Sequence, residues 1–387
     1  MRLGDCCKTN LHTYSDKEKW SLIRYLDTGS ITEGRIDEIQ TLYPGVDKIP
    51  SRARRKASVG DILFSTVRPN QKHYGIIEAG TENLLVSTGF TVVTVDTTIA
   101  YPYFIYYYLT QSSVIESLQA IAEQSTSTYP SIKPSDIEDI ELDLPELETQ
   151  KKIGSTLRML DRKIALNEEI NDNLYAQAKA IFDNHFINID AIPAGWRKGN
   201  LLDIANYLNG LAMQKFRPQG HEIGLPVLKI KELRQGSCDD SSELCSLSIK
   251  PEYIIHNGDV VFSWSGSLLV DIWCGGTCGL NQHLFKVTSD VYDKWFYYLW
   301  TAHHLARFIA IAADKATTMG HIKREELAKA EVLIPCEEDY TSFNSIMQPI
   351  FELIISNRIE SRKLAALRDE LLPKLMTGEI DVSDVQL

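Results

Sequence analysis

The densest group of basic residues in this sequence lies between positions 51 and 80. The stretch contains six lysines and arginines against two acidic residues, whereas the whole chain carries a formal net charge of −12. The six residues are Arg52, Arg54, Arg55, Lys56, Arg68 and Lys72. A local excess of positive charge favours contact with phosphate groups, and arginine can also recognise guanine in the major groove of DNA. The sequence therefore predicts a nucleic-acid contact here, with a solvated surface loop as the alternative.

The second half of the chain offers fewer candidate contacts to nucleic acid. They are Lys229, Lys231, Arg234, Asn281, Gln282 and His283. Amide side chains fit the edge of adenine, although a single amide is a weak signal. The acidic net charge is an average over the chain and does not describe each surface, so it does not exclude DNA binding.

Motifs of catalysis are missing from the sequence. It has no Walker A loop, no glycine-rich dinucleotide-binding turn, no His-Glu-x-x-His and neither the Asn-Pro-Pro-Tyr nor the Asp-Pro-Pro-Tyr of amino-methyltransferases. Asp61 and Asp259 each follow a glycine ahead of a predicted strand, where a structural role is expected. We predict no catalytic residue in this chain.

Cysteine usage and hydropathy indicate the compartment. Seven cysteines at irregular spacing argue against a disulfide framework and for a reducing environment. Cys274 and Cys278, with Cys238 and Cys245 before them, lack the spacing of a zinc site, so no metal is expected. No apolar segment has the length of a signal peptide or a membrane span. The expected location is the cytoplasm.

Long helices must position these surfaces, and residues 150–186 carry the pattern of one. Apolar residues recur there at positions a and d of a heptad, as in a helix that packs against another helix. The pattern returns 190 residues later, and Asn167 is then matched by Asn357. A polar residue inside an apolar seam weakens a coiled coil but selects its register and partner. We therefore predict two long helices that pair with each other.

The rest of the chain is duplicated as well. Gly60-Asp-Ile-Leu-Phe-Ser65 is matched by Gly258-Asp-Val-Val-Phe-Ser263, and Leu144-Pro145 by Ile334-Pro335. Each half is expected to be a globular unit of mixed α and β structure followed by one long helix. The predicted boundaries are 1–148 for the first globular domain, 149–190 for the first helix, 191–338 for the second domain and 339–387 for the second helix and C-terminal tail.

Short strands and aromatic-faced helices are predicted within the globular domains. Runs with a period of two, bounded by Gly, Pro and Asn, favour strands. The segments predicted as strands are 61–67, 84–95, 259–264, 138–144 and 329–334. The segments predicted as helices are 101–122 and 292–313.

Four motifs resemble those of the specificity subunit of type I restriction-modification systems. Leu144-Pro-Glu-Leu-Glu-Thr-Gln-Lys-Lys-Ile153 begins the first long helix, and Leu367-Arg-Asp-Glu-Leu-Leu-Pro-Lys-Leu-Met-Thr-Gly-Glu-Ile380 ends the second. The other two are Thr128-Tyr-Pro-Ser-Ile-Lys-Pro-Ser-Asp136 and the motif that begins at Gly60. The resemblance extends across nearly the whole length of the chain.

The resemblance implies an α+β fold with two pseudo-repeated target recognition domains, separated by an antiparallel two-helix coiled coil. Each domain would recognise one half of a split sequence in double-stranded DNA. The helices would bind two modification subunits, which carry S-adenosylmethionine and methylate adenine. Restriction subunits would bind ATP and Mg and would cleave the DNA. The chain itself is then expected to hold no cofactor and to catalyse no reaction.

Two alternatives stay open on the sequence. One is a recognition subunit of a related methylation-only or fused-nuclease system, and the other is a non-DNA scaffold with a duplicated fold. The segment that leads into the second helix, Ile334-Pro-Cys-Glu-Glu-Asp-Tyr340, lacks the glutamine found at Gln150 in the first. Binding of a modification subunit at that end is expected to be less secure.

One antiparallel register places the polar residues of the two helices opposite one another. It sets Asn167 against Ser361 and Asn171 against Asn357. A shift by one heptad would bury both Asn167 and Asn171 against isoleucine, at a cost of roughly 1 to 3 kcal/mol for each unpartnered amide. The first register is therefore predicted.

One pair of residues fits this register of the two helices poorly. Leu160 would face Arg368, whose guanidinium is expected to reach water. Pro349 and Pro373 are expected to kink or end the second helix. Between them lie 23 residues, a straight part of about 34 Å that is close to one turn of DNA. We expect the coil to set the gap between half-sites.

Overall fold

The structure, a computed structural model, describes residues 1–80, 82–125, 129–314, 321–383 and 385. Thr128, the first residue of one motif above, lies outside this part of the chain. The chain divides into two compact units. Unit 1 consists of Met1–Arg162 and Ala365–Leu387, and unit 2 of Lys163–Leu364. Both long helices therefore contribute residues to both units.

Unit 1 contains two four-stranded sheets. Its strands are β1 (Cys7–Thr9), β2 (Ile23–Leu26), β3 (Ile31–Thr32), β4 (Arg35–Ile36), β5 (Gln40–Leu42), β6 (Ala53–Lys56), β7 (Ile62–Ser65), β8 (Tyr74–Ile76), β9 (Leu84–Ser87) and β10 (Phe90–Val95). Its short helices are α1 (Pro102–Leu109), α2 (Ser112–Glu123) and α3 (Pro134–Glu138). The strand orders are β1-β10-β7-β8 and β5-β2-β9-β6, and β2 runs parallel to β9. Strands β3 and β4 form a separate ribbon.

Unit 2 repeats this plan. Its strands are β11 (Arg197–Asn200), β12 (Asn206–Asn209), β13 (Leu225–Leu228), β14 (Leu244–Cys245), β15 (Ile254–Ile255), β16 (Val260–Ser263), β17 (Leu269–Ile272), β18 (Cys278–Leu280), β19 (Leu284–Thr288) and β20 (Glu331–Ile334). The helices α4 (Leu147–Phe182) and α9 (Glu337–Met376) are the two long ones, and α5 (Leu201–Ile204), α6 (Ile230–Gln235), α7 (Lys294–Asp314) and α8 (Arg324–Ala328) lie between them.

The two units share one sheet topology. The strand orders of unit 2 are β12-β19-β16-β17 and β14-β13-β18-β15, and β13 runs parallel to β18 as β2 does to β9. The central pairing also corresponds, because Ser65 faces Phe90 in unit 1 and Ser263 faces Leu284 in unit 2. The predicted α+β fold with an internal repeat is confirmed.

The Gly-Asp pairs before β7 and β16 form the turns that lead into these strands. Gly60 and Gly258 have φ angles of +89° and +87°, a region in which residues with a Cβ are strained. Asp61 then accepts a hydrogen bond from the Ser58 amide at 2.7 Å, and Asp259 accepts one from the His256 amide at 2.8 Å. Burial raises the pKa of Asp61, although hydrogen bonds from Thr94 and Ser58 act against this. Both carboxylates have the expected structural role.

The strand predicted at 138–144 is wrong. Helix α3 ends at Glu138, and the segment that follows makes one bridge, between Arg2 and Glu141. The matching segment of unit 2 forms β20 because the full length of β11 pairs with it. In unit 1 the Leu3 amide donates to the carbonyl of Ile140 at 2.8 Å, and the Leu142 amide donates to that of Met1 at 3.0 Å. The helix predicted at 101–122 is divided into α1 and α2, whereas α7 is continuous.

Helix α9 continues through Pro349 and Pro373 and ends at Met376, so the prediction that it ends at either proline is wrong. A proline inside a helix costs about 3 kcal/mol because it removes a hydrogen bond and crowds the preceding turn. Buried contacts on α9 oppose that cost: Met347 and Phe351 flank Pro349 in the core of unit 2, and Leu375 follows Pro373 in the core of unit 1. A straight part of 23 residues between the two prolines stays a prediction.

Polar residues of α4 and α9 meet in adjacent layers. The Nδ2 of Asn357 donates to Oδ1 of Asn171 at 3.0 Å, and the Nδ2 of Asn167 lies 3.3 Å from Oγ of Ser361. Asn167 is fully buried, and its amide also bonds to Glu360 at 2.7 Å. These are the partners that the predicted register sets opposite each other. The buried amides thus avoid the cost of an unmade hydrogen bond.

Arg368 does not extend into water. Its Nη1 lies 2.7 Å from Oδ1 of Asp161, and Asp161 also accepts a hydrogen bond from the Tyr107 hydroxyl at 2.5 Å. Burial by itself lowers the pKa of Arg368, but the carboxylates of Asp161 and Asp369 outweigh it and the pKa is raised. The expectation of a solvated guanidinium was wrong because a carboxylate one residue past Leu160 is within reach.

Gln150 attaches the first long helix to its own globular unit. The side chain is 1% exposed, and its Oε1 accepts from the Tyr101 amide at 2.9 Å. Its Nε2 donates to the carbonyls of Pro145 and Ile99. At the matching position of α9, the hydroxyl of Tyr340 accepts from the Asp293 amide at 2.6 Å. The missing glutamine therefore reflects a different internal attachment, and it does not remove an exposed docking residue.

No helix of the described residues is long and apolar enough to cross a membrane.

The helix register predicts a specific crosslink. In a variant whose native cysteines are replaced, Asn171→Cys and Asn357→Cys should form a disulfide readily under mild oxidation, because their side chains meet in one layer. Non-reducing electrophoresis and peptide mapping measure it. The matched control pairs Asn171→Cys with Ile350→Cys, and faster crosslinking of that control would contradict the register.

Candidate nucleic-acid interface

Two turns meet at the same place in each unit. In unit 1 the Thr66 amide, after β7, donates to the carbonyl of Gly89 at 2.8 Å. In unit 2 the Trp264 amide, after β16, donates to the carbonyl of His283 at 3.4 Å. A third segment joins each pair, since the amide of Ile132 donates to Thr66 at 2.9 Å and that of Ile322 to Trp264 at 3.0 Å. We call residues 65–68, 87–89 and 129–131 the loop cluster of unit 1, and residues 263–266, 281–283 and 321 that of unit 2.

Buried polar side chains hold the second turn of each cluster. The Gly89 amide donates to Oγ of Ser87 at 3.3 Å, and the His283 amide donates to Oδ1 of Asn281 at 3.2 Å. Ser87 is 0% exposed and Asn281 is 6% exposed. Asn281, a sequence candidate for base contact, is therefore a part of the framework that shapes the turn.

The side chains displayed on this framework differ between the units. Thr66 of unit 1 corresponds to Trp264 of unit 2, and the exposed Thr88 corresponds to Gln282. Arg68 likewise corresponds to a glycine. The same backbone thus presents two chemically different surfaces.

Arg68 is the basic residue that stands within the loop cluster of unit 1. It is exposed, has a φ angle of +48°, and its amide donates to the carbonyl of Pro130 at 2.9 Å. Its guanidinium lies 4.9 Å from the centre of the Tyr129 ring. A cation over an aromatic face is held in place by the ring quadrupole. Tyr129 was not predicted as a site residue, although it belongs to a quoted motif.

Arg52 adjoins this cluster through the backbone. The Thr88 amide donates to the carbonyl of Arg52 at 2.9 Å, and the Arg52 side chain is exposed. Arg54 follows on β6 and is half-buried. Three of the six basic residues, Arg54, Arg55 and Lys56, therefore lie on a strand, whereas Arg52, Arg68 and Lys72 lie in turns and loops.

Three other basic residues of unit 1 have partners within the protein. The guanidinium of Arg55 donates to Oδ1 of Asn10 and to the carbonyl of Phe90, and burial lowers its pKa. Lys56 pairs with Glu18, and Lys72 pairs with Glu33 at 2.5 Å. A DNA contact by any of these would compete with an existing bond, and their assignment to DNA stays a prediction.

The predicted basic residues of unit 2 lie at α6. Lys229 pairs with Glu243, and Lys231 bonds to Ser241 at 2.8 Å and to Asp239 at 3.4 Å. Arg234 is exposed in the last turn of α6. None of the three is in the loop cluster, whereas Gln282 and His283 are.

The loop cluster of unit 2 is aromatic. The ring of Trp264 lies 6.2 Å from that of His283 and 6.0 Å from that of His321, and its Nε1 donates to Oδ1 of Asn209 at 2.9 Å. Asn209 carries no signal in the sequence, because it is the last residue of β12, whose partner strand β19 lies about 80 residues later in the chain. Among the described residues, no group of three His, Cys, Asp or Glu side chains is placed to hold a metal ion.

Two copies of one mixed α/β unit, each with its own surface on a shared frame, define a duplicated α+β protein. A protein family described as type I restriction modification DNA specificity domain matches residues 49–176. The specificity subunit of the type I restriction enzyme HindI from Haemophilus influenzae is 21% identical over 454 aligned positions, which cover 98% of each chain.

Two further proteins support this likeness. The type I restriction enzyme MjaIX specificity subunit of Methanocaldococcus jannaschii is 27% identical over 307 positions, covering 73% of this chain and 70% of that one. The crystal structure of the type I S subunit from M. genitalium has a TM-score of 0.58 at 14% identity, with 97% of this chain and 95% of that chain covered. The resemblance found in the motifs is confirmed, and the fold is that of type I specificity subunits.

Arg52, which precedes β6, and Arg55 of β6 should differ in what their removal affects. Arg52→Ala should weaken binding to all DNA sequences and lower the slope of log affinity against log salt by about one for a lost phosphate contact, with unchanged thermal melting. Arg55→Ala should lower the melting temperature, since about 1 to 3 kcal/mol of hydrogen bonding to Asn10 and Phe90 is lost. Binding titrations at several salt concentrations and calorimetry measure both. Early melting of Arg52→Ala would contradict the assignment.

Proposed function

We propose that this chain is the DNA-recognition subunit of a type I restriction-modification complex, in which each unit recognises one half of a bipartite target. The observation that carries the proposal is the pair of loop clusters. Two backbone hydrogen bonds of one cluster correspond to two of the other, while the side chains at matching positions differ, as Thr88 and Gln282 do. Because the two units share a backbone arrangement but display different side chains, both could dock on DNA in the same way and recognise different half-sites.

The long helices are proposed to bind the modification subunits and to set the spacing of the half-sites. Large apolar side chains are about half exposed on them at spacings of seven or fourteen residues, which places them on one face of each helix. They are Ile346, Leu353 and Leu367 on α9, and Met159 and Leu166 on α4. Apolar stripes of this kind, away from the seam between the helices, suit the packing of a partner's helices. The paired seam itself leaves little freedom to change the spacing.

The chemistry is proposed to reside on the partners. Methylation with S-adenosylmethionine, and ATP- and Mg-dependent translocation and cleavage, would come from modification and restriction subunits in the cytoplasm. This chain would supply the sequence specificity, the role that the names of its relatives give to them.

Exchange of one unit tests independent recognition. Replacing residues 1–148 with the corresponding segment of a homologue of different specificity should change one half of the methylated sequence and leave the other unchanged. Sequencing of modified bases in a genome that expresses the hybrid measures it. A change in both halves would refute separate recognition by the two units.

The isolated chain should lack catalysis. Purified to homogeneity, it should show no methyltransfer, ATP hydrolysis or DNA cleavage, because it has none of the corresponding motifs. Activity that co-elutes with the pure chain would overturn the proposal. Identification of the subunits that copurify distinguishes a complete restriction-modification complex from a methylation-only system.

A further inference from the structure

Three amide side chains lie in or beside the loop cluster of unit 2, and they differ in what they offer to a ligand. Asn281 is buried and accepts from the His283 amide. Asn209 gives its oxygen to the indole of Trp264. Gln282 is half-buried, and its Oε1 accepts no hydrogen bond from the residues that the structure describes. Gln282 is therefore the amide of this group with an uncommitted acceptor.

A hydrogen-bonded chain orients the Gln282 amide. Its Nε2 lies 3.3 Å from Nε2 of His283, and Nδ1 of His283 lies 2.9 Å from Oγ of Ser265. An amide nitrogen can only donate, so Nε2 of His283 accepts. The ring proton then stands on Nδ1 and is donated to Ser265. One N–H of Gln282 is thereby engaged, which leaves its second N–H and its Oε1 for a ligand.

The imidazole is itself held from two sides. Ser265 is 3% exposed and belongs to the turn after β16, which fixes the position of its hydroxyl. The indole of Trp264 packs beside the ring of His283. Gln282 thus loses less rotamer freedom on binding than a free surface glutamine, and preorganisation of this kind favours affinity.

An acceptor and a donor side by side on one amide match a single base in the major groove. Adenine presents the N6 donor next to the N7 acceptor, whereas guanine presents two acceptors and cytosine a donor alone. We propose that Gln282 recognises adenine in the half-site bound by unit 2, with Oε1 accepting from N6 and the free N–H donating to N7. His283 and Ser265 act as positioning residues. The inference rests on the proposed function, and it adds which base is recognised and which residue recognises it.

Unit 1 offers an internal contrast. Its loop cluster carries Thr88 and Gly89 where unit 2 carries Gln282 and His283. Neither residue presents an acceptor and donor pair in fixed geometry, so adenine recognition by this device belongs to unit 2 alone.

The first test selects bound sequences from randomised duplex DNA with the full-length chain and the subunits that copurify with it. Wild type should enrich a bipartite sequence with an adenine in one half. Gln282→Ala should relax that position by roughly 5- to 150-fold, the range for one bidentate contact, and leave the other half unchanged. The matched control is Gln235→Ala, an exposed glutamine on α6 of the same unit, which should keep the wild-type profile.

The second test changes single atoms. Replacing the selected adenine with 7-deazaadenine removes N7, so it should weaken wild-type binding and have no effect on Gln282→Ala. Gln282→Glu presents acceptors only and should shift preference from adenine toward cytosine, whose N4 is a donor. His283→Phe keeps a ring beside Trp264 but removes the acceptor, and it should lower adenine discrimination without altering binding to unrelated DNA.

The outcomes separate this inference from the function on which it depends. If no sequence is enriched by the wild type, the proposed function fails. If a bipartite sequence is enriched but Gln282→Ala leaves its profile unchanged, or relaxes a base other than adenine, only the role of Gln282 fails. Thermal melting equal to wild type shows that each variant is folded, and Gln282→Glu gives a gain of preference that loss of folding cannot produce.

Discussion

Pairing of the two long helices is the interaction on which both units depend. Each globular unit buries side chains from both helices: Ile153 and Leu375 lie in the core of unit 1, and Phe182 and Met347 in that of unit 2. Loss of one such side chain costs about 2 to 5 kcal/mol in a well-packed core. Because the same helices also meet through the asparagine layer of Asn171 and Asn357, a shift of register would open both cores together. The register that the seam predicts is therefore also the one that keeps both cores closed.

The duplication separates what is kept from what is exchanged. Backbone hydrogen bonds, the Gly-Asp turns and the buried Ser87 and Asn281 maintain the same frame in both units. Exposed side chains on the frame, such as Arg68 and Thr88, are free to differ because they stabilise little of it. A protein built in this way can change the side chains on its surface with little change in its free energy of unfolding. This is the physical basis for assigning recognition to the loop clusters.

Charge is a local property in this chain. The net charge of −12 reflects carboxylates spread over the surface, many of which pair with lysine or arginine, as Glu33 does with Lys72. An exposed pair of this kind contributes little to stability, at most about 1 kcal/mol. It does reduce the charge available to a phosphate. Counting basic residues along the sequence consequently overestimates the positive surface, and Arg52 and Arg68 are better candidates than Arg55 or Lys56.

Sequence periodicity determined the elements whose signals are local: the two heptad helices, their register, the internal repeat and most strands. These follow from side-chain spacing along one segment, so no distant partner is needed to predict them. Tertiary structure alone decided the rest. The 138–144 segment makes a single bridge where its counterpart in unit 2 pairs with β11, α9 continues through Pro349 because flanking residues are buried, and Arg368 is paired because Asp161 is folded against it. Gln282 became a specific candidate only when His283 and Ser265 were seen to orient its amide. Such contacts join residues far apart in the chain, and no local pattern encodes the geometry that brings them within hydrogen-bond distance.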